Sequence, residues 1–128
     1  MVLVDSSVWI GFFSGHEPDV ARVKNLLEVV NRVVICGVVI QEVVQGIRSE
    51  RRRDHVAGRL SLLPFVEAGR DEHLEAAELY AGLRKRGITV PPADALIATL
   101  SIRNRHELLT RDRHFGAIAE HTRLRLLG

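Results

Sequence analysis

The sequence predicts an α/β fold of three layers, with helices on both faces of a central, mainly parallel sheet of four to five strands. Three observations predict it. Short, apolar, largely β-branched runs at residues 2–4 and 33–36 have the length of buried strands. Stretches with helical spacing of apolar residues lie between such runs, and strands that alternate with helices point to parallel βαβ units. The composition, 46% hydrophobic and 27% charged over 128 residues, suits a single globular domain over residues 1–128 that buries its own core without disulfides or a structural metal.

Each element has a local cause. Val2-Leu3-Val4 is an apolar strand that stops at Asp5. Ser6 is placed to cap a helix continued by Val8, Trp9, Ile10, Phe12 and Phe13 and ended by Gly15. Pro18 suits the first turn of a second helix, in which Val20, Val23, Leu26, Leu27 and Val30 follow helical spacing. Val33 to Cys36 is the second strand, punctuated by Gly37, and a helix from about Val38 to Arg48 carries Glu42. Residues 50–63 read as a helix with an arginine-rich start, stopped by Pro64, and Phe65-Val66-Glu67 as a short strand. Asp71 to Arg86 is a helix closed by Gly87. Ile88-Thr89-Val90 is extended, and Pro91-Pro92 opens a helix holding Ala93 to Ile102. Glu107 to Thr110 is a strand, Asp112 to Glu120 a loop or short helix, and Thr122 to Leu127 a last strand.

Charge and composition narrow the function. The net charge is +2 with a pI near 9.2, and arginines cluster at 48–53, 84–86 and 103–113. That permits a nucleic-acid partner without requiring one, since solvated helix faces give the same pattern. Cys36 is the only cysteine, so no intrachain disulfide and no cysteine zinc site can form, and it reads as a small buried hydrophobe. The apolar start is broken by Asp5 and has no basic leader, so no secretory signal is expected. No run approaches the roughly 18 apolar residues of a membrane span. A cytoplasmic protein is expected.

The acids carry the chemistry. Asp5 stands at the carboxyl end of the first strand, and Asp112 just past the strand ending at Thr110. Ligands of open parallel sheets bind outside the carboxyl ends of the strands. Asp94 lies in the first turn of the helix opened by Pro92, where a carboxylate also complements the helix dipole. Glu42 has Val38, Val39 and Gly46 as helical neighbours, which sets a carboxylate beside an apolar stripe, where it needs a partner. Acids converging on one spot repel unless a proton or a cation intervenes. An all-oxygen set suits Mg²⁺ or Mn²⁺ rather than zinc. Such a site can orient and help deprotonate water and stabilise a phosphodiester under in-line attack.

These residues resemble a known family. Val2-Leu3-Val4-Asp5-Ser6-Ser7-Val8-Trp9-Ile10 is similar to the opening of a PIN domain, Gln41-Glu42-Val43 to its second acidic position and Pro92-Ala93-Asp94-Ala95-Leu96-Ile97-Ala98 to its third. Leu109-Thr110-Arg111-Asp112-Arg113-His114-Phe115 is similar to the closing motif, so the match in order and spacing covers essentially the whole chain. The short length resembles the VapC toxins of bacterial and archaeal toxin–antitoxin pairs. The resemblance implies a PIN fold with a central parallel sheet and Mg²⁺-dependent endoribonuclease activity on tRNA or another structured RNA. It also implies a homodimer and a small antitoxin that places a peptide across the active site. It makes Asp5, Glu42, Asp94 and Asp112 metal ligands, Asp112 through water, with Ser6 and Thr110 supporting the acids by hydrogen bonds. Gly116 stands where some relatives carry a further acid, so no fifth ligand is expected.

Other residues admit plainer roles. Trp9 belongs to a helical apolar stripe and is expected in the core or on a dimer surface. Arg111 and Arg113 flank Asp112 and are candidates for RNA phosphate contacts. Arg51, Arg52 and Arg53 are either phosphate ligands, an exposed helix face or an antitoxin contact. His114 is either a general acid or a structural residue before Phe115. Rival functions are a non-catalytic PIN-like module that binds RNA or protein, and an Asp-based phosphatase. A haloacid-dehalogenase-like phosphatase needs a second Asp where this chain has Ser7, and a receiver domain needs a late lysine that neither Lys24 nor Lys85 supplies. Flap-type DNA nucleases are longer, with an added arch.

Overall fold

A computed structural model describes residues 1–128. The elements are β1 (Val2–Val4), α1 (Ser6–Phe13), α2 (Asp19–Leu27), β2 (Val33–Cys36), α3 (Gly37–Gln45), α4 (Glu50–Leu60), β3 (Phe65–Val66), α5 (Arg70–Lys85), α6 (Pro92–Arg103), β4 (Glu107–Leu109) and α7 (His114–His121). The four strands form one parallel sheet in the order β3-β2-β1-β4. Val2 pairs with Val33 on one side and Glu107 on the other, and Val4 pairs with Leu109. The backbone N–H of Asp5 then donates to the Leu109 carbonyl at 2.9 Å, carrying the β1–β4 ladder one residue past the strand.

Parallel strands covered on both faces read as unbroken apolar runs. All of β1 and β2 is buried for that reason, and their bounds match those predicted from sequence. Phe115 and Ile118 of α7, Trp9 of α1 and Ile97 and Leu100 of α6 complete the core around them. The α6 helix is buried nearly all round, so its Thr99 and Ser101 hydroxyls turn back to the Ala95 and Ile97 carbonyls at 2.8 and 3.0 Å. The Trp9 ring packs against Phe12 and Phe13, with centroids 5.7 and 5.8 Å away, which places it in the core.

Several expectations are corrected. The strand expected over 122–127 reduces to a single parallel bridge between Leu108 and Leu126. Only Leu124 of that segment is buried, and Arg123 and Arg125 face solvent, so little apolar surface holds it to the sheet. Residues 88–90, read as extended, belong to no strand of the sheet: Val90 enters the core from coil, and the prolines that follow lack the N–H a ladder needs. The α2 helix stops at Leu27, and Val30 is 85% exposed, because Asn31 takes a left-handed turn (φ 59°) that feeds β2. The α4 helix ends at Leu60, and α3 runs from Gly37 to Gln45 rather than to Arg48. Residues 114–121, left open between loop and helix, are helix α7.

The layering makes a direct prediction. Leu3→Ala removes a fully buried side chain from the central strand and should cost about 2–5 kcal/mol of stability. Leu62→Ala, at a position 84% exposed, should stay within about 0.5 kcal/mol of wild type. Urea denaturation of the two variants checks this, and equal losses would contradict the placement of β1.

Candidate metal centre

The strand order creates the site. The chain leaves β1 toward β2 and β3 and later returns to β1's other side with β4, so the crevice between β1 and β4 lies at a reversal of strand order, where open parallel sheets bind ligands. Asp5 follows β1 directly, and Thr110 and Asp112 follow β4. Asp94 is the third residue of α6, and Glu42 lies within α3, the helix that follows β2. All four acids named from the sequence meet at this edge, close enough that Asp5, Glu42 and Asp112 each act on the Asp94 carboxyl.

Asp5 is the N-cap residue of α1, but its side chain makes no capping hydrogen bond. Its Oδ2 instead accepts from the Ser7 and Thr110 hydroxyls, both at 2.9 Å. Its Oδ1 has only the distant Ser6 hydroxyl, at 3.5 Å. Ser6 is therefore not the helix cap expected of it. Its hydroxyl donates to Glu42 Oε1 at 3.1 Å, a hydrogen bond to an acid of the kind the family resemblance implies. The Thr110 hydroxyl also accepts the Asp112 backbone N–H at 2.9 Å. The Asp112 carboxylate accepts the His114 backbone N–H at 2.9 Å, closing the turn into α7.

Asp94 is the most constrained of the four. It is 7% exposed, and its Oδ2 is buried with no hydrogen-bond partner. Burial, then the charges of Asp112 and Asp5, push its carboxyl up to about 7; His114 works the other way and Glu42 adds to the rise. Glu42 is also raised, first by burial, against the Ser6 hydrogen bond and with the charges of Asp5 and Asp112. The Cys36 thiol beneath the site is raised by burial above all, so it remains a thiol, as its reading as a small hydrophobe requires.

Sequence reasoning left His114 between two roles, and the structure puts it in the cluster. Its Nδ1 is 2.8 Å from Asp112 Oδ1 and 3.3 Å from Asp94 Oδ2. The ligand atoms of Asp94, Asp112 and His114 lie within 4.8 Å of one another, a grouping that could hold a cation. Ser7 was passed over as well. Its signal was its position two residues after Asp5 at a helix start, the spacing at which a serine hydroxyl turns back to a neighbouring side chain. Of the arginines, Arg52 donates to the Phe13 carbonyl, and Arg53 to the Ile47 and Arg48 carbonyls, both at 2.8 Å. Those two hold the chain around the ends of α1 and α3. Arg111 sits 3.4 Å from Asp19, and Arg113 is exposed at the start of α7.

An orphaned buried carboxylate oxygen, a carboxyl forced toward neutrality and an all-oxygen set of acids fit a hard divalent cation. The PIN domain family matches residues 2–121. Among solved structures, a DNA-bound VapBC from Salmonella typhimurium superposes with a TM-score of 0.81 at 21% identity, covering 98% of this chain and 96% of that one. VapBC2 from Rickettsia felis, bound to a DNA fragment from its promoter, gives 0.79 at 19% identity, covering 99% and 98%. Mycobacterium tuberculosis VapC20, described as a sarcin-ricin loop cleaving toxin, gives 0.67 at 18% identity, covering 91% and 94%. No curated protein matches the sequence.

The Asp94 environment predicts a pH dependence with a defined sign. Without metal the folded state keeps the Asp94 proton up to about pH 7, whereas an unfolded chain releases it near pH 4. The folded state binds the extra proton between those values, so stability falls as pH rises through that window. Melting curves in EDTA should show the wild type losing several degrees relative to Asp94→Asn between pH 4.5 and 7.5. Saturating Mg²⁺ should shrink that loss by favouring the ionised carboxylate. Parallel pH profiles for the two proteins would mean that Asp94 ionises normally.

Proposed function

The chain belongs to the PIN-domain family, and from that membership we propose that it is a metal-dependent endoribonuclease, the toxin of a VapBC-type toxin–antitoxin pair. One nuclease domain then occupies residues 1–128. The observation that carries the reading is the convergence of Asp5, Glu42, Asp94 and Asp112 at the β1–β4 crevice, with a buried Asp94 oxygen that has no hydrogen-bond partner. These four would hold Mg²⁺, or Mn²⁺ in its place. Bound there, the cation would neutralise charge on a phosphodiester and make water a better nucleophile.

The remaining residues prepare the site. Ser7 and Thr110 fix one Asp5 oxygen and leave the other with only a long contact to Ser6, and Ser6 holds Glu42. His114, half-exposed with Nδ1 on Asp112, is placed to hold a proton at the mouth of the site. Arg113 beside it, and the outer face of Arg111, are the basic groups nearest to where an RNA phosphate would approach. The substrate in this reading is tRNA or another structured RNA. A structural relative described as cleaving the sarcin-ricin loop supports an RNA target. Relatives described as VapBC and FitAB assemblies support an antitoxin partner. The family resemblance adds a homodimer. A cytoplasmic location goes with this reading, and no helix is long and apolar enough to cross a membrane.

The test is cleavage of total cellular RNA by purified protein with Mg²⁺ or EDTA, beside Asp94→Asn. Discrete fragments should form only with Mg²⁺. Asp94→Asn should lose roughly 100-fold or more, because even groups that merely support a metal's ligands cost 10–100-fold. Its melting temperature in EDTA should equal or exceed that of the wild type. Wild-type cleavage by Asp94→Asn, or cleavage that survives EDTA, would end the assignment.

A further inference from the structure

Asp19 is the first residue of α2 and is 0% exposed. Neither of its carboxylate oxygens has a hydrogen-bond partner. A buried carboxylate without compensation is expensive. Its one charged neighbour is the Arg111 guanidinium, with Nη2 3.4 Å from Oδ2. Space for the carboxylate exists only because residue 11 is glycine. A Cβ there would lie 1.9 Å from Asp19 Oδ2 and 2.8 Å from its Cγ. The α1 helix thus gives up a side chain at a buried position to admit a charge from α2.

Arg111 is also held at its backbone, where its N–H donates to the Ser7 hydroxyl at 3.2 Å. The Ser7 hydroxyl in turn donates to Asp5 Oδ2 at 2.9 Å. The segment between β4 and α7 has no regular structure, and it carries Asp112. One end of it is tied by Thr110 to Asp5 and the other by Asp112 to the start of α7. The Arg111 side chain is its one tie to the α1–α2 pair through charge.

We propose that Asp19 and Arg111 form a latch that anchors the segment bearing Asp112 to α1 and α2, and that Asp19 is therefore a positioning residue for the acid cluster. The proposal rests on the reading of that cluster as a divalent-cation site. Asp19 touches none of the four acids. It acts by holding Arg111, whose backbone N–H orients Ser7 toward Asp5 and whose neighbour is Asp112.

Mn²⁺ binding to the full-length protein, measured by calorimetry, tests this through signs. Long-range charge alone would weaken Mn²⁺ binding in Asp19→Asn and strengthen it in Arg111→Met. The latch weakens it in both, by roughly tenfold, the scale for groups that orient metal ligands. The double variant should lose no more than the worse single one, because the two residues act through each other. Gly11→Ala changes no charge and should weaken binding in the same direction by displacing the Asp19 carboxylate. Tighter binding in Arg111→Met, additive losses in the double variant, or wild-type affinity in a folded Gly11→Ala would overturn the latch.

Amide hydrogen exchange in metal-free protein provides a readout independent of the cation. Asp19→Asn should speed exchange at Arg111 and Asp112 and leave the β1–β2 ladder unchanged; unchanged exchange at Arg111 and Asp112 would overturn the latch. Wild-type protein that binds no Mn²⁺ would remove the cation reading, and the exchange data would then decide the latch alone.

Discussion

The Thr110 hydroxyl joins the two halves of the site. It donates to Asp5 Oδ2 and accepts the Asp112 backbone N–H, both at 2.9 Å, so one side chain spends donor and acceptor on two different acids. The geometry follows from the sheet. Val4 pairs with Leu109, and the Asp5 N–H extends that ladder, so the residues after β1 and β4 emerge side by side. A different strand order would send Asp5 and Asp112 to separate crevices. The buried, apolar β1 is thus the element on which the polar chemistry depends, because it fixes the register between the two strand ends.

The edge so formed is electrostatically unfavourable, and the surrounding residues answer only part of the cost. Asp5 is satisfied on one oxygen and Glu42 is held by Ser6, while Asp94 keeps a buried oxygen with no hydrogen-bond partner. A fold selected only for stability would replace such a carboxylate with an apolar side chain or give it a donor. Concentrated strain of this kind is expected where local rules give way to function. Elsewhere in α6 the buried Thr99 and Ser101 hydroxyls each find a carbonyl.

What could be read from the sequence follows from how local each signal is. Val2–Val4 and Val33–Cys36 were legible to the residue because a strand buried on both faces needs an unbroken apolar run. Asp5, Asp94 and Asp112 were legible because each sits at an element boundary that the pattern already marked, and Glu42 because it set a carboxylate beside an apolar helical stripe. The segment at 122–127 was misread because its apolar residues alternate as a strand's do, yet the outcome depended on how much surface β4 offered. The cap at Ser6 was misread because a serine before a helix normally caps it, and nothing local reveals that Asp5 takes the cap position; that its hydroxyl goes to an acid was implied only by the resemblance, and which acid, Glu42, 36 residues on, only the fold shows. Asp19 gave no signal at all. An acid after a proline at a helix start is ordinary, and only the missing side chain at Gly11 shows that it points inward.

Arginine content was the least faithful guide. A pI near 9.2 suggests a surface ready for phosphate, but several of the arginines are engaged by other groups of the chain. Arg52 and Arg53 bind backbone carbonyls, Arg103 pairs with Glu75 and Glu72, and Arg111 faces Asp19. Arg113 stays exposed beside Asp112. Two like unit charges 4 Å apart repel by about 4 kcal/mol at the effective dielectric of a protein surface. Arg113 and the partly committed Arg111 cannot offset several carboxylates aimed at the same crevice as an incoming phosphodiester. A nuclease role for this edge is therefore physically coherent only with a cation between the acids and the phosphate, which ties the proposed activity and the proposed metal together as one claim.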